Sequence, residues 1–192
     1  MVVIMANGAM SEVGIIGREG LVGLPAFLGA DVSPHRIICQ VPSVCRRLPI
    51  AAFRDELARG GPFLDLVQMY AQALFFMASQ STACNHHHPV EERCARWLLM
   101  THDRVAGETF PMTHEFLSIM LGVRRPSVTL AAGTLQKAGI IRYTRGKVTV
   151  LDRAGLEEAS CECYAAVRDY TARVLGIASA GFRHPERSSD VK

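Results

Sequence analysis

The chain has 192 residues, enough for one large domain or two small ones, and its 49% hydrophobic and 20% charged residues exclude an intrinsically disordered protein. No apolar run, Ala73–Ala78 included, approaches the roughly 18 residues of a membrane span, and Met1 to Met5 lack the basic region and cleavage site of a signal peptide, so a cytoplasmic location with no membrane partner is expected. The net charge of +3 hides an uneven distribution: residues 113–153 hold seven basic side chains (Arg124, Arg125, Lys137, Arg142, Arg145, Lys147, Arg153) against Glu115 and Asp152, the footprint of a polyanion-binding module.

The opening reads as strands and turns. Val2–Met5 is a β-rich run, Ala6-Asn7-Gly8 a turn, and Val13–Gly17 resumes the apolar pattern; a glycine-rich loop with a short helical turn follows over Gly20–Gly29. Ile37–Val41 and Val44–Leu48 are further expected strands. Residues 1–48 are about half of what a closed barrel or jelly roll needs, so the expectation is a partial antiparallel β-roll whose start is shortened or misassigned.

Residues 49–88 change period. Ile50–Arg59 is a short helix stopped by Gly60-Gly61, and Pro62 opens a long helix reaching about Cys84. Val67, Tyr70, Leu74, Met77, Ser81 and Cys84 alternate steps of three and four, a heptad seam, while Phe63, Leu66, Phe75 and Phe76 add a second apolar face. Two apolar faces need two covers, and the seam Val67, Tyr70, Leu74 and Met77 is assigned to a homodimer, against the alternative of a central helix in a monomer core. Asn85-His86-His87-His88 interrupts this helix, Pro89 starts another through about Arg104, and Val105–Met112 is a polar connection.

Residues 89–175 contain the informative stretch. Thr113 is the expected N-cap for a helix with Phe116, Leu117, Met120 and Leu121 on its apolar face, Ser118 is small where a second helix must cross, and Gly122 supplies the left-handed turn before Val123. Arg124-Arg125-Pro126-Ser127 opens a second helix whose inward face is Val128, Ala131, Leu135 and Ala138, stopped by Gly139. Helix, glycine turn and a helix with a cationic start are helix-turn-helix geometry, in which Arg124, Arg125, Ser127 and Thr129 are placed to read base edges. Ile140–Val150 alternates apolar and polar residues around Arg145-Gly146, a basic β-hairpin or wing. Arg142, Arg145 and Lys147, with Thr113 and His114, are the expected phosphate contacts.

The remaining constellations carry less. The six cysteines (Cys39, Cys45, Cys84, Cys94, Cys161, Cys163) show no disulfide framework and are expected to be reduced and mostly buried. Cys84 with His86, His87 and His88 lacks a second ligand pair at known spacing and reads as a polar hinge. Cys161-Glu162-Cys163 lies in a helical pattern over Leu156–Leu175, where residues two apart face different sides, so structural thiols are expected. Gly14–Gly29 lacks the strand-GxGxxG-helix context of a dinucleotide site, and no acid, base and nucleophile constellation is present, so no metal, cofactor or enzymatic activity is expected. Residues 176–192 read as a disordered tail.

Val90-Glu91-Glu92-Arg93-Cys94-Ala95-Arg96-Trp97-Leu98-Leu99, Phe110-Pro111-Met112-Thr113 through Gly139-Ile140-Ile141, and Gly17-Arg18-Glu19-Gly20-Leu21-Val22-Gly23-Leu24-Pro25 resemble the Crp/Fnr family of bacterial transcription regulators over about residues 1–175. The resemblance implies an α+β chain: a cyclic-nucleotide-binding-like β-roll, a long dimerisation helix and a C-terminal winged helix. It further implies a homodimer on double-stranded DNA, with RNA polymerase as a further partner, and puts the family's base-reading positions on Arg124, Arg125, Ser127 and Thr129. Leu21–Pro25 lacks the carboxylate, and Pro34-His35-Arg36-Ile37-Ile38 the hydroxyl beside Arg36, that cyclic-nucleotide-binding members carry, so that ligand is not expected. The alternatives are a thiol- or metal-gated sensor regulator and a winged-helix protein-interaction module.

Overall fold

The computed structural model describes residues 1–177; the rest of the expected disordered tail, residues 178–192, lies outside the described residues. The chain opens on a two-stranded antiparallel ribbon, β1 (Val2–Ile4) with β2 (Met10–Glu12), in the register Val3↔Ser11. Its tight reversal uses Gly8 at φ 83°. A single turn of helix follows, α1 (Leu24–Phe27), and then α2 (Ile50–Arg59), α3 (Pro62–His87) and α4 (Val90–His102). The winged region comprises β3 (Thr109–Pro111), α5 (His114–Leu121), α6 (Arg125–Lys137), β4 (Ile141–Thr144) and β5 (Lys147–Val150), and the described chain ends with α7 (Arg153–Glu158) and α8 (Cys163–Leu175). The architecture is α+β, with helices dominating.

Several expectations for the first half give way. Neither Ile37–Val41 nor Val44–Leu48 is a strand: the bridge of Val2 to Arg36 lies just ahead of them, and Val44 is fully exposed. β-Branched residues favour extended backbone, but a strand persists only where a neighbour completes its hydrogen bonds. Val13–Gly17 is likewise outside the sheet; the pairing partner of β1 is the earlier Met10–Glu12. The expected β-roll is therefore a single ribbon. The long helix does not break at Asn85: it continues through His87, and His88 leaves helical geometry at φ −107°, ψ 144°, the extended backbone favoured before a proline.

The heptad seam has a different cover from the expected one. Val67, Tyr70, Leu74 and Met77 are buried within this chain, so they are not free to meet a second copy. The glycine-rich segment lies on them. A Cβ on Gly14 would stand 3.3 Å from Leu74, and one on Gly20 only 2.4 Å from the Tyr70 hydroxyl oxygen. Gly14 and Gly20 are needed because the segment runs against a helix surface at near-contact distance, whereas Gly23 and Gly29, with open space around them, hold left-handed backbone at φ 108° and 86°. On α3 the large apolar side chains left exposed are Leu66, Met69 and Phe75. Phe76 is half-buried and stacks on Tyr170 of α8 at 4.3 Å between ring centroids.

The core sits around α4. Its residues Arg93 to His102 are buried without interruption, which requires neighbours on every side: α5, α6, α7 and α8 supply them. Trp97 Nε1–H donates to the Glu12 carboxylate at 3.1 Å, tying the ribbon to the helix, and burial pushes the Glu12 carboxyl above its usual range. Arg104 pairs with Glu19 at 2.7 Å, His102 Nε2 lies 2.7 Å from Glu108, and Asp103 pairs with Arg153 at 2.7 Å. The connection expected over Val105–Met112 contains β3, which joins the hairpin as a three-stranded sheet in the order β3-β5-β4. Residues 156–175 are not one helix: α7 ends at Glu158 and a turn separates it from α8. Among the described residues, no helix is long and apolar enough to cross a membrane.

Two glycine substitutions should move stability in opposite directions. Gly20→Ala drives a methyl into the buried Tyr70 ring and should cost about 1–3 kcal/mol. Gly133→Ala, inside α6 with open space around its Cβ, should add about 0.5–1 kcal/mol. Urea-unfolding midpoints of the two variants against the parent chain check both signs.

Candidate nucleic-acid interface

The interface is assembled from α5, α6 and the β4–β5 hairpin. Thr113 caps α5, its hydroxyl oxygen accepting the Phe116 N–H at 3.1 Å. The helix ends on Gly122 at φ 64°, ψ 35°; its N–H reaches the Ile119 carbonyl at 3.2 Å, and the Val123 N–H reaches that of Ser118 at 3.0 Å. This left-handed reversal turns the chain directly into α6. Arg124 is the extended N-cap of α6, Pro126 lies in its first turn, and that turn contains no acidic residue. Its unpaired amides and two arginines therefore present concentrated positive charge at one point.

Val128, Ala131, Ala132 and Leu135 bury the inner face of α6. Ala138, expected on that face, is exposed instead: its backbone is still helical, its N–H bonded to the Thr134 carbonyl at 3.1 Å, but the core does not extend to this last turn, and Gly139 at φ 75° reverses the chain. Outward, Arg124, Arg125 and Thr129 are exposed and Ser127 is half-buried. Leu130 is 71% exposed on the same helix, an apolar group that the sequence reading passed over. The available signal was its place between the inward positions Val128 and Ala131.

The hairpin turns through Arg145 and Gly146, at φ 48° and 75°, the double left-handed geometry of a two-residue turn that matches strand twist. Thr144 pairs with Lys147 across it. Arg142, Arg145 and Lys147 are exposed. The wing is held in place at three points: the Tyr143 N–H donates to Gln136 Oε1 at 2.8 Å, the Tyr143 hydroxyl donates to the Met112 carbonyl, and the Met112 N–H donates to the Gly146 carbonyl at 2.7 Å.

Among the described residues, Arg124, Arg125, Arg142, Arg145 and Lys147 make no ion pair, whereas Arg54, Arg59, Arg104, Arg153 and Arg168 each hold a carboxylate. Arg153, counted in the basic segment by sequence, belongs to the interior: it contacts Asp103, Glu157 and the Tyr164 hydroxyl. The helix start and the wing are thus left with cations that no described carboxylate neutralises.

His114 does not take the phosphate-contact position assigned to it. Its ring turns inward: Nδ1 meets the Thr129 hydroxyl at 3.0 Å, the ring packs edge-on against Tyr143 with centroids 4.3 Å apart, and Nε2 is buried. The Thr129 hydroxyl also donates to the Arg125 carbonyl at 3.1 Å, so it is engaged within the protein on both counts. His114 connects α5, α6 and the wing, and sequence spacing gave no sign of that. Burial, with Arg125 nearby, holds its pKa below 6.5. The native state then binds fewer protons than the unfolded chain, so stability falls as pH drops from about 6.5 through the folded pKa. His114→Gln should flatten that part of the stability–pH profile, read from urea midpoints between pH 7.5 and about 5.

Residues 92–159 match the family model of the Crp-like helix-turn-helix domain. No curated protein matches the chain. Among solved structures, a Crp/Fnr-family transcriptional regulator from Thermus thermophilus superposes with a TM-score of 0.58 at 18% identity, covering 83% of this chain and 81% of its own. FixK2 from Bradyrhizobium japonicum gives 0.52 at 15% identity, over 58% of this chain and 59% of its own. A Crp/Fnr-family regulator from Eubacterium rectale gives 0.46 at 22% identity, over 58% of this chain. The chain spans 51% of the length of the Eubacterium protein and 59% of FixK2. The family model and the Thermus and Bradyrhizobium superpositions agree with the long helix, helix-turn-helix and wing described above: the chain carries a Crp-like helix-turn-helix domain on a Crp/Fnr-type fold.

Proposed function

We propose that the chain is a sequence-specific DNA-binding transcriptional regulator that acts as a homodimer on a palindromic operator. One observation carries this reading: five exposed cations without a described carboxylate partner gather at the start of α6 and on the wing, while Arg104 and Arg153, which tie core elements together, are held in ion pairs. In this reading α6 enters the major groove. Arg124 and Arg125 reach base edges, where a guanidinium matches guanine O6 and N7, with Ser127 and Thr129 beside them and Leu130 offering apolar surface to a thymine methyl. Thr113, Arg142, Arg145 and Lys147 contact phosphates and set the register without reading sequence. His114 orients Thr129 from behind.

A second copy would cover Met69 and Phe75 on the exposed side of α3, and two-fold symmetry would place the half-sites about 34 Å apart. Cyclic nucleotide has no part in the reading. Leu21–Pro25 offers no carboxylate, and Arg36 is exposed and joined through its backbone to Val2. Neither does catalysis, for a regulator of this kind works by occupying its site.

Selection from a random duplex library at moderate salt tests the proposal: enrichment of a palindrome supports it, and salt-insensitive failure to bind DNA points to a protein-interaction module. At the selected site, Arg125→Ala should cost about 1–3 kcal/mol and relax preference at one base pair. Equal weakening on all sequences would remove Arg125 from base reading. Lys147→Ala should weaken binding to every duplex and reduce the slope of log affinity against log salt by about 0.9.

A further inference from the structure

The three cysteines Cys84, Cys161 and Cys163 form a buried cluster separate from the main core. Cys84 occupies the last turn of α3, and His88, four residues on, caps that helix with its N–H on the Cys84 carbonyl at 3.0 Å. Positions four apart share a helix face. Cys161 lies in the turn after α7, and Cys163 is the first residue of α8. The break between α7 and α8 cancels the continuous helix that would have set the two cysteines on different sides, and it wraps both around one point. Cys84 Sγ is 3.5 Å from Cys161 Sγ, Cys163 Sγ is 3.6 Å from His88 Nδ1, and all four ligand atoms lie within 4.8 Å of one another.

We infer that Cys84, His88, Cys161 and Cys163 form a closed, four-coordinate site for a thiophilic divalent cation, zinc foremost, that staples the end of α3 to the start of α8. Tetrahedral zinc with S ligands at about 2.3 Å and N at about 2.0–2.1 Å sets ligand edges of about 3.8 Å for S–S and about 3.6 Å for S–N. The observed separations need only small side-chain adjustments to meet that. The surroundings are those of a metal site. His88 turns Nδ1 inward and directs Nε2 at the Glu162 carboxylate, 3.2 Å away, the carboxylate–histidine–metal arrangement that fixes ring orientation. Gln80 Nε2–H donates to Cys163 Sγ at 3.1 Å.

Charge argues the same way. Three thiolates and a neutral imidazole on a dication leave a net charge of −1. The buried guanidinium of Arg93 holds the Leu121 carbonyl and has no carboxylate in ion-pair range among the described residues. Arg96, also buried, donates to the Ser81 hydroxyl at 2.9 Å, three residues before Cys84 on α3. A buried cation needs a compensating anion, which the loaded site provides. Loading releases up to three thiol protons to solvent and transfers no electrons. His86 and His87 stay exposed and outside the cluster.

The site stands independently of the DNA-binding reading, because its test counts metal. The full chain, expressed without a histidine tag and purified under reducing conditions, should carry about one zinc per molecule by elemental analysis. After chelator stripping, Co²⁺ titration should saturate at one per chain with tetrahedral d–d bands and thiolate-to-cobalt charge transfer, displaced by Zn²⁺. Cys84→Ser, Cys163→Ser and His88→Ala should lose these bands, Cys39→Ser and the double variant His86→Ala/His87→Ala should keep them, and Glu162→Ala should weaken binding about 10- to 100-fold. The cobalt spectrum of the unsubstituted chain reads the ligand set even where a variant fails to fold. An octahedral spectrum without charge transfer, binding that disappears with His86 and His87, or no stoichiometric metal would overturn the site.

Discussion

Three consecutive ionisable residues at the end of α4 decide how the rest of the molecule is arranged. His102, Asp103 and Arg104 leave the helix in three directions: His102 toward Glu108 just before β3, Asp103 toward Arg153 at the start of α7, and Arg104 toward Glu19 in the glycine-rich segment. Both members of the Arg104–Glu19 pair are nearly buried. Removing one partner of such a pair leaves an uncompensated charge in the interior, at a cost of about 3–5 kcal/mol. The N-terminal segment, the small sheet and the terminal helices are therefore registered against one helix end. Tyr164 extends the junction into α8 by donating its hydroxyl to Asp103 at 3.0 Å.

This arrangement separates two sets of cations. Among those that build the fold, Arg104 and Arg153 are bound to carboxylates and Arg93 to the Leu121 carbonyl. Those at the start of α6 and along the wing are held away from any described carboxylate by the rigid elements that bear them. Gly122, the Arg145-Gly146 turn and the hydrogen bonds around Tyr143 fix their spacing. A fixed set of unneutralised charges binds a polyanion with little entropy lost on ordering, which is the physical advantage of mounting the α6 cations on a helix and the wing cations on a tethered hairpin. The thiol and imidazole cluster lies where the end of α3 meets the start of α8, and its hold is on how those two helices are joined.

Much of the winged region was legible in the sequence because its signals are local. Thr113 as a cap, Gly122 as a left-handed stop, Pro126 in a first helical turn and a two-residue turn at Arg145-Gly146 each follow from the φ/ψ preference of one or two residues, and each stands where the pattern placed it. The start of α3 at Pro62 and the end of α2 at Gly60 are legible on the same grounds. The expected strands over Ile37–Val41 and Val44–Leu48 failed because extended propensity does not supply a pairing partner. Ala138 failed because helical spacing gives the face of a residue and not how far along the helix the core reaches: its backbone is helical, yet it is exposed.

Period and composition determined where the helices and the hairpin lie, which face of α6 is apolar, and that the unbalanced positive charge falls on α6 and the wing. Tertiary structure decided what covers each face. It gave the seam of α3 to the glycine-rich segment of the same chain, turned His114 from a surface contact into an internal support for Thr129, brought β3 to the hairpin across an intervening pair of helices, and gathered Cys84 and His88 with Cys161 and Cys163. The physical reason is range. A cap, a turn or a helical stripe is written in residues within a few positions of one another, whereas Cys84 and Cys161 are 77 residues apart and meet only because the Asp103–Arg153 pair and the α3–α8 packing bring their two segments together.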